Sequence, residues 1–278
     1  MNEDLKNKII KDLEKSGFGA EMLVLKIFNS LGWRAEAGQG YFDKDENKSR
    51  EIDISAYYSA HLEVNNKFCV SSFFHICAEV KKSEQPWIVF RTYPHPYFQL
   101  CAWDNLIDCI NLPTENFNLV EYITKHSLLA IKGWEGSGIH HAFKDPNTPS
   151  RWYPAFIAAC KACEDCYERN KLDGNKTTSN ILEEPTEWNF FQPLVILDGT
   201  LVMAELTDSG EIHIEEVDSA PFRFKYNTKN YIRGNYRVDL VTISGLKNYI
   251  KTIMHRQNNI NIGIRNYAPY AFKKESSM

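Results

Sequence analysis

Two carboxylates and a lysine on neighbouring strand-like segments are the residues of this sequence best suited to chemistry. Glu79 and Lys81 are two positions apart in a β-rich run, so their side chains leave the same face of a strand. Asp53 lies inside the alternating polar and apolar segment Glu51–Tyr57. If the two strands pair, both carboxylates and the ammonium group converge on one point. Glu21, on the N-terminal helical segment, could supply a further carboxylate.

This grouping suits the hydrolysis of phosphodiester bonds. Carboxylate oxygens are hard ligands for Mg²⁺, or for Mn²⁺ in its place, and Mg²⁺ keeps several waters while binding substrate phosphates. A bound metal ion activates and orients a water for in-line attack, and a lysine positions that water or stabilises the transition state. The alternative is a charged strand face that is merely solvated. The charges come at the end of the apolar run Phe73–Ala78, where an active site would be expected. This position favours a site over a solvated face.

The elements that would position these residues begin with helix. Apolar residues recur at helical spacing from Leu5 to Leu31, and Ser16–Gly19 divides the pattern into two pieces. Gly32 is placed to end the second piece. Three strand-like segments follow, the second and third of which carry Asp53 and the Glu-x-Lys pair.

The rest of the chain alternates loosely between helices and strands. Periodicity and turn residues predict an aromatic-rich insertion with short helices at about 94–151, an exposed loop at about 171–188 and a C-terminal tail at 261–278. The other predicted elements are a helix over Pro154–Asn170, a strand over Pro193–Leu197, a hairpin of Leu201–Leu206 with Glu211–Val217, a strand over Val238–Ile243, and a helix from a Ser244 cap to about Arg256. The class is therefore α/β with a mixed central sheet flanked by helices, in one domain over 1–260.

The order of these motifs resembles that of the PD-(D/E)xK nucleases, the restriction-endonuclease-like superfamily, over roughly residues 17 to 90. The resemblance rests on a helix with Glu21, then Arg50–Ile54, then Cys77–Ser83 with its Glu-x-Lys. It implies a core of a helix, a three-stranded meander, a second helix and a further strand. Ile52 stands where the proline that names the superfamily would be.

The resemblance also implies roles for residues. Asp53 and Glu79 would be the metal ligands, Lys81 the catalytic lysine and Glu21 the acid carried on the helix in many members. The helix over Pro154–Asn170 would be the second core helix, where Lys161 is a candidate phosphate contact. Lys82 follows the catalytic lysine and is a further candidate for nucleic-acid binding.

Length, composition and charge limit the classes of protein to which this chain could belong. A chain of 278 residues with 43% hydrophobic and 24% charged residues can bury a core, and no apolar stretch is long enough to span a bilayer. The seven cysteines and the charged N-terminus, which lacks a signal-peptide pattern, favour the reducing cytoplasm. The net charge of −4 excludes only a large uniform positive field, so local patches could still bind phosphates.

Two weaker patterns leave alternatives open. Cations and aromatic residues interleave over Pro221–Arg237, where Arg223, Lys225 and Arg233 could contact phosphates while aromatic rings stack on bases. Alternatively, the aromatic residues pack inward along a strand while the charges face water. Cys160, Cys163 and Cys166 are spaced by three on a helix, which favours small buried thiols over an iron–sulfur or zinc site.

The sequence predicts a cytoplasmic, Mg²⁺-dependent nuclease, with DNA as the preferred substrate. Cutting both strands of a duplex often needs two active sites, which leaves a homodimer or a larger assembly open. The alternative is a non-catalytic module of the same fold that binds nucleic acid or a protein partner. The intact set of two acids and a lysine favours the enzyme.

Overall fold

The computed structural model describes residues 1–65, 68–92, 107–110, 134–145, 149–174 and 186–271. Within these ranges the chain is α/β, with a large mixed sheet flanked by four helices. The helices are α1 (Glu3–Ser16), α2 (Phe18–Ser30), α3 (Trp152–Gly174) and α4 (Ile243–Ala271). The strands are β1 (Arg34–Asp43), β2 (Lys48–Asn65), β3 (Phe68–Lys82), β4 (Trp87–Thr92), β5 (Ile107–Ile110), β6 (Glu135–His141), β7 (Thr186–Asp198), β8 (Leu201–Leu206), β9 (Ile212–Glu216), β10 (Ser219–Tyr226) and β11 (Gly234–Thr242).

The strand order explains why the sheet is mixed. Along the sheet the strands follow the order β1-β2-β3-β7-β11-β10-β6-β4-β8-β9, and β5 pairs with β7. The meander β1-β2-β3 is antiparallel, and β7 then joins β3 and β11 in parallel. Beyond β11, antiparallel β10 leads to a wing in which β6 pairs in parallel with β10, and β4 in parallel with β8.

Helices cover the two faces of the sheet in different places. Val24 and Phe28 of α2 and Ile250 of α4 share one apolar cluster with residues of β2, β3, β7 and β11. Phe156 of α3 packs on the opposite face, in a second cluster with residues of β4, β7, β8, β10 and β11. A third, smaller cluster joins α3 to β1, β2 and β3, next to the candidate site. Among the described helices, none is long and apolar enough to cross a membrane.

The N-terminal helix is divided as the sequence predicts. Gly17 ends α1 with a φ of 87°, a left-handed conformation that glycine adopts without steric cost, and α2 starts at the next residue. The break lets α2 pack on the sheet through Ala20, Val24 and Phe28, while the apolar side of α1 stays exposed. This packing carries Glu21 to the end of the sheet where the other candidate residues lie.

Four predictions about the later part of the chain need correction. Within the expected insertion at 94–151, β6 is a strand of the central sheet between β10 and β4, and the predicted short helices fall outside the described residues. Helix α4 runs on to Ala271, so residues 261–271 are not part of a tail. The hydroxyl of Thr242, rather than Ser244, accepts from a first-turn amide, that of Gly245, at 3.1 Å. The loop expected at 171–188 is shorter at both ends, because α3 reaches Gly174 and β7 starts at Thr186.

Candidate active site

Asp53 lies at the point where strand β2 loses its regular pairing. The β1–β2 register runs from Arg34 opposite Tyr57 to Asp43 opposite Lys48, and the one pair missing from it is Gly38 with Asp53. The β2–β3 register begins one residue later, at Ile54 opposite Ala78. The backbone of Asp53 is therefore outside both ladders, which leaves its side chain free to turn towards β3.

The backbone opposite Asp53 is also unusual. Gly38 has a φ of 65°, in the left-handed region that residues with a Cβ rarely adopt. The change of backbone direction is visible in the packing, because Ile54 lies in the cluster under α2 whereas Ile52, two residues earlier, lies in the cluster under α3. Residues two apart in a regular strand would share a face. The distortion at Gly38 and Asp53 thus aims the carboxylate of Asp53 along the sheet.

The three residues predicted to converge are in contact. The Asp53 Oδ2 atom accepts hydrogen bonds from the Val80 amide at 2.8 Å and from the Lys81 ammonium at 3.1 Å. Lys81 also donates to Glu79 Oε2 at 2.5 Å and to the Val80 carbonyl at 3.1 Å. The ammonium group is therefore held between two carboxylates, and one backbone amide fixes the orientation of Asp53.

Burial sets the charge states of this cluster. Glu79 is 8% exposed, and burial raises its pKa to about 7, with Asp53 adding to the rise and Lys81 opposing it. Burial alone would lower the pKa of Lys81, but the carboxylates of Glu79 and Asp53 outweigh it and raise that pKa above its ordinary value. Lys81 therefore stays an ammonium ion at neutral pH, whereas Glu79 keeps its charge only where cations offset its burial.

Glu21 belongs to the same electrostatic cluster. Partial burial and the Asp53 carboxylate raise the pKa of Glu21, while Lys81 acts in the opposite direction. Its helix packs on the face opposite to α3, so the acid approaches the cluster from a different side than the strands do. The structure thus brings Asp53, Glu79 and Lys81 into contact, and Glu21 interacts with Asp53 and Lys81 electrostatically.

The donor set is compatible with Mg²⁺ or Mn²⁺. Among the described residues, no group of three or more His, Cys, Asp or Glu side chains forms a metal cage of its own. A complete cage is not what Mg²⁺ needs, since it commonly takes one or two carboxylates and fills its shell with water and substrate phosphate. Asp53 and Glu79 supply that number of carboxylates.

Tyr41 is a neighbour of the site that the sequence did not reveal. It is buried on β1 in the small cluster with Cys77 and Cys163. Burial raises the pKa of Tyr41 to about 12, and the Glu79 carboxylate contributes to this rise. The phenol therefore interacts electrostatically with that carboxylate. A lone tyrosine after Gly40 carries no sequence signal for such a position.

Lys161 does not have the predicted position of a phosphate contact. It is 5% exposed, and its ammonium binds Asp43 at 2.7 Å and Asp45 at 3.0 Å. The rings of Tyr226 and Tyr231 flank the same ammonium, with their centroids 5.5 and 5.1 Å away. Lys161 therefore ties α3 to the β1–β2 turn and to the loop after β10, and the prediction that it contacts nucleic acid is wrong for this structure.

The basic and aromatic stretch packs as an ordinary strand pair. Phe222 and Phe224 are buried against α3, with ring centroids 5.2 and 5.4 Å from that of Phe156. Arg223 forms an ion pair with Glu135 at 2.7 Å, and Arg233 forms one with Glu164 at 3.0 Å. These aromatic rings are thus core residues rather than platforms for bases, as the alternative interpretation had it. Lys82 and Lys225 are exposed, which is compatible with a phosphate contact.

Two of the three cysteines of α3 are buried, and the third, Cys166, is half-buried. Cys160 and Cys163 are buried, and Cys163 packs with Cys77 of β3 beneath Tyr41. Hydrogen bonding to Cys163 holds the pKa of Cys77 well above its ordinary value, and burial does the same to the pKa of Cys160. Burial also raises the pKa of Cys163. The spacing of three that suggested a cluster therefore reflects one buried helix face.

Iodoacetamide labelling tests this assignment. Because the thiolate is the reactive form, Cys77, Cys160 and Cys163 are expected to stay unmodified in the folded protein at pH 8 and to react fully in denaturant. Peptide mass spectrometry gives the extent of labelling at each site. Rapid labelling of these three thiols in the folded state would contradict their burial.

Comparison of the chain with protein-family models, with curated proteins and with solved structures finds no match.

Proposed function

We propose that this chain is a metal-dependent nuclease of the restriction-endonuclease-like type, which hydrolyses phosphodiester bonds with DNA as its substrate. One observation carries the proposal: Asp53, Glu79 and Lys81 meet at the only break in the β1–β2 register, with Glu21 in the same electrostatic cluster. A solvated strand face would not explain why Glu79 is buried or why β2 is distorted at Asp53. The order of α2, the β1-β2-β3 meander, α3 and β7, with β4, β5 and β6 between the meander and α3, also supports this proposal.

Asp53 and Glu79 would hold Mg²⁺ or Mn²⁺, with Glu21 contributing directly or through a water. When bound, the metal ion supplies an activated water and stabilises charge on the scissile phosphate. The Val80 amide keeps Asp53 in place, so this ligand does not need to be reoriented for binding. The site would act in the cytoplasm, and a homodimer would provide the two sites needed for both strands of a duplex.

Lys81 would act as a fixed positive charge. Its raised pKa keeps the ammonium protonated, so it is unsuited to removing a proton from water. An ammonium held by two carboxylates and a carbonyl is instead positioned to orient the attacking water and to stabilise the negative charge that builds on the phosphate. These contacts also spare it the entropy loss of becoming ordered during the reaction.

A cleavage assay tests the reaction class. The protein is expected to cut DNA with Mg²⁺ or Mn²⁺ and to lose all activity in EDTA, with activity restored by excess Mg²⁺. Supercoiled, linear and single-stranded DNA, together with an RNA, would identify the preferred substrate. Cleavage that persists in EDTA would contradict the proposed metal dependence.

A second candidate function is a non-catalytic module of the same fold that binds a partner. The observation in its favour is that Lys161, Arg223 and Arg233, three of the five candidate phosphate contacts, are engaged in ion pairs with acids. The lack of cleavage of any substrate with either metal ion would support this function.

Gly38 offers a test of how Asp53 is positioned. A Cβ at Gly38 would meet no crowding, but valine strongly disfavours a φ of 65°, whereas asparagine tolerates it. Gly38→Val is expected to lower kcat about 10- to 100-fold, the range typical of residues that orient a metal ligand, and Gly38→Asn to retain most of it. The metal concentration for half-maximal activity should rise in the valine variant. Equal loss in both variants would show that the left-handed backbone at Gly38 is irrelevant to the site.

A further inference from the structure

The wing of the sheet formed by β4, β8 and β9 has an apolar face that the site does not use. Directly opposite residues of paired strands share a face, so Leu206 lies beside Ile212, and Ala204 lies beside Ile214. The parallel pairing of β4 with β8 adds Phe90 next to Ala204. The other face of β8 points inward, where Leu201 and Met203 join the cluster under α3. One continuous row of apolar side chains therefore crosses three strands.

Ala204 is only 4% exposed, whereas the larger side chains around it are in contact with solvent. Leu206 is 72% exposed, Ile212 is 74% exposed and Ile214 is 63% exposed. Single apolar residues on a surface are common, but a contiguous group on a β-sheet marks an interaction site or an aggregation hazard. All residues of β9 are exposed, which is unusual for a strand that carries two isoleucines. The group has the chemistry of a docking surface.

Strand β9 also offers an open edge for hydrogen bonding. It ends the strand order of the sheet, so only its β8 side is paired within the described residues. Thr207 donates to the Glu211 carbonyl, and Val217 donates to the Leu201 carbonyl. Because hydrogen-bonded pairs alternate in an antiparallel ladder, odd-numbered residues of β9 bond to β8 and the amides of Ile212 and Ile214 point outward. The apolar side chains and the outward amides thus belong to the same two residues.

The charge around this edge indicates which partner fits. No lysine or arginine occurs between residues 199 and 222. The acidic residues of the hairpin and its turn are exposed: Asp208, Glu211, Glu215 and Glu216. Edge strands are often kept from pairing with another chain by a lysine or a proline, and β9 has neither. A second copy of the chain would place the same acidic charges against one another. Charge complementarity therefore favours a cationic occupant.

We propose that β9 is a docking edge for an extended basic segment of another protein, in which apolar residues alternate with lysine or arginine. The segment adds to β9 as a further strand, so that backbone hydrogen bonds to Ile212 and Ile214 supply affinity. Its apolar residues cover the row over Ile212, Ile214 and Leu206, and its cations lie near Glu211 and Glu215. This inference does not depend on nuclease activity.

The test measures binding of labelled peptides to the full chain by fluorescence anisotropy. The probes are a short peptide in which valine alternates with lysine, its counterpart with glutamate in place of lysine, and the lysine peptide with alternate backbone nitrogens methylated. The lysine peptide should bind with saturation, and the other two should bind about tenfold or more weakly, because one loses charge complementarity and the other loses strand hydrogen bonds. Equal binding of the methylated peptide would overturn strand addition without any variant being made.

Variants locate the binding to β9. Ile214→Pro removes one outward donor without removing a β8–β9 hydrogen bond, and it should weaken the lysine peptide about tenfold or more while the circular dichroism spectrum stays unchanged. Ile232→Pro, at an 80% exposed isoleucine in the loop after β10, is the matched control and should bind the peptide normally. Unchanged binding by Ile214→Pro would overturn the proposal. So would sedimentation showing a dimer that this variant converts to monomer, since the edge would then serve a second copy.

Discussion

Replacing Glu79 by glutamine is expected to abolish DNA cleavage, with the rate falling about 10³-fold or more. The amide has the volume of the carboxyl group and can still accept the hydrogen bond from Lys81, so the packing under Tyr41 is preserved. It lacks the negative charge that would hold a divalent cation next to Asp53. Gel assays of supercoiled DNA with Mg²⁺ and with Mn²⁺ measure the loss, and purification of the variant in parallel excludes a contaminating nuclease.

The stability of this variant separates chemistry from folding. Burial disfavours the charged form of Glu79, so a neutral side chain at this position should keep the melting temperature at or above that of the wild type. Affinity for uncleaved DNA in EDTA should be unchanged. Glu36→Gln, at an exposed glutamate on β1, is the control and should cut normally. A Glu79→Gln protein that cuts at the wild-type rate would remove Glu79 from the site.

The sequence was sufficient to predict that Asp53, Glu79 and Lys81 come together, because local geometry determines their contact. The two-residue spacing of Glu79 and Lys81 fixes them to one face, and antiparallel pairing of consecutive strands is the simplest way to bring Asp53 beside them. The division of the first helix at Gly17 and the β8–β9 hairpin are equally local. The distortion at Gly38 could not be predicted, because a glycine in a strand does not reveal its φ.

Predictions failed where a polar residue found a distant partner. The last helix was expected to end at about Arg256, yet Gln257 donates to the Ser72 carbonyl at 3.0 Å and Asn261 accepts from the Trp188 indole at 2.8 Å. These buried hydrogen bonds allow α4 to continue across the sheet. Which polar residues of a helix face the core depends on partners more than 70 residues away, and periodicity does not contain that information.

Lys161 has the same kind of distant partner, and its replacement should have the largest effect on stability. Lys161→Met is expected to reduce the free energy of unfolding by about 3 kcal/mol or more, because removing one member of a buried ion pair leaves an uncompensated charge. Asp43 keeps Arg50 at 3.1 Å and the backbone amide of Asp45 at 3.0 Å, which places the loss near the lower end of the usual range. For a domain of this size, that corresponds to a melting temperature lower by roughly 6–12 °C.

A double-variant comparison then distinguishes an ion pair from a phosphate contact. Adding Asp43→Asn to Lys161→Met removes the unpaired charge, while the new amide oxygen still accepts from the Asp45 backbone. The double variant should therefore lose about 0.5–3 kcal/mol less free energy of unfolding than the sum of the losses in the two single variants. Lys225→Met, at an exposed lysine, should change stability by no more than about 0.5 kcal/mol. If Lys161 instead contacts phosphate, Lys161→Met would keep the wild-type melting temperature and weaken DNA binding. The buried ammonium between Asp43 and Asp45 predicts the opposite result on both measurements.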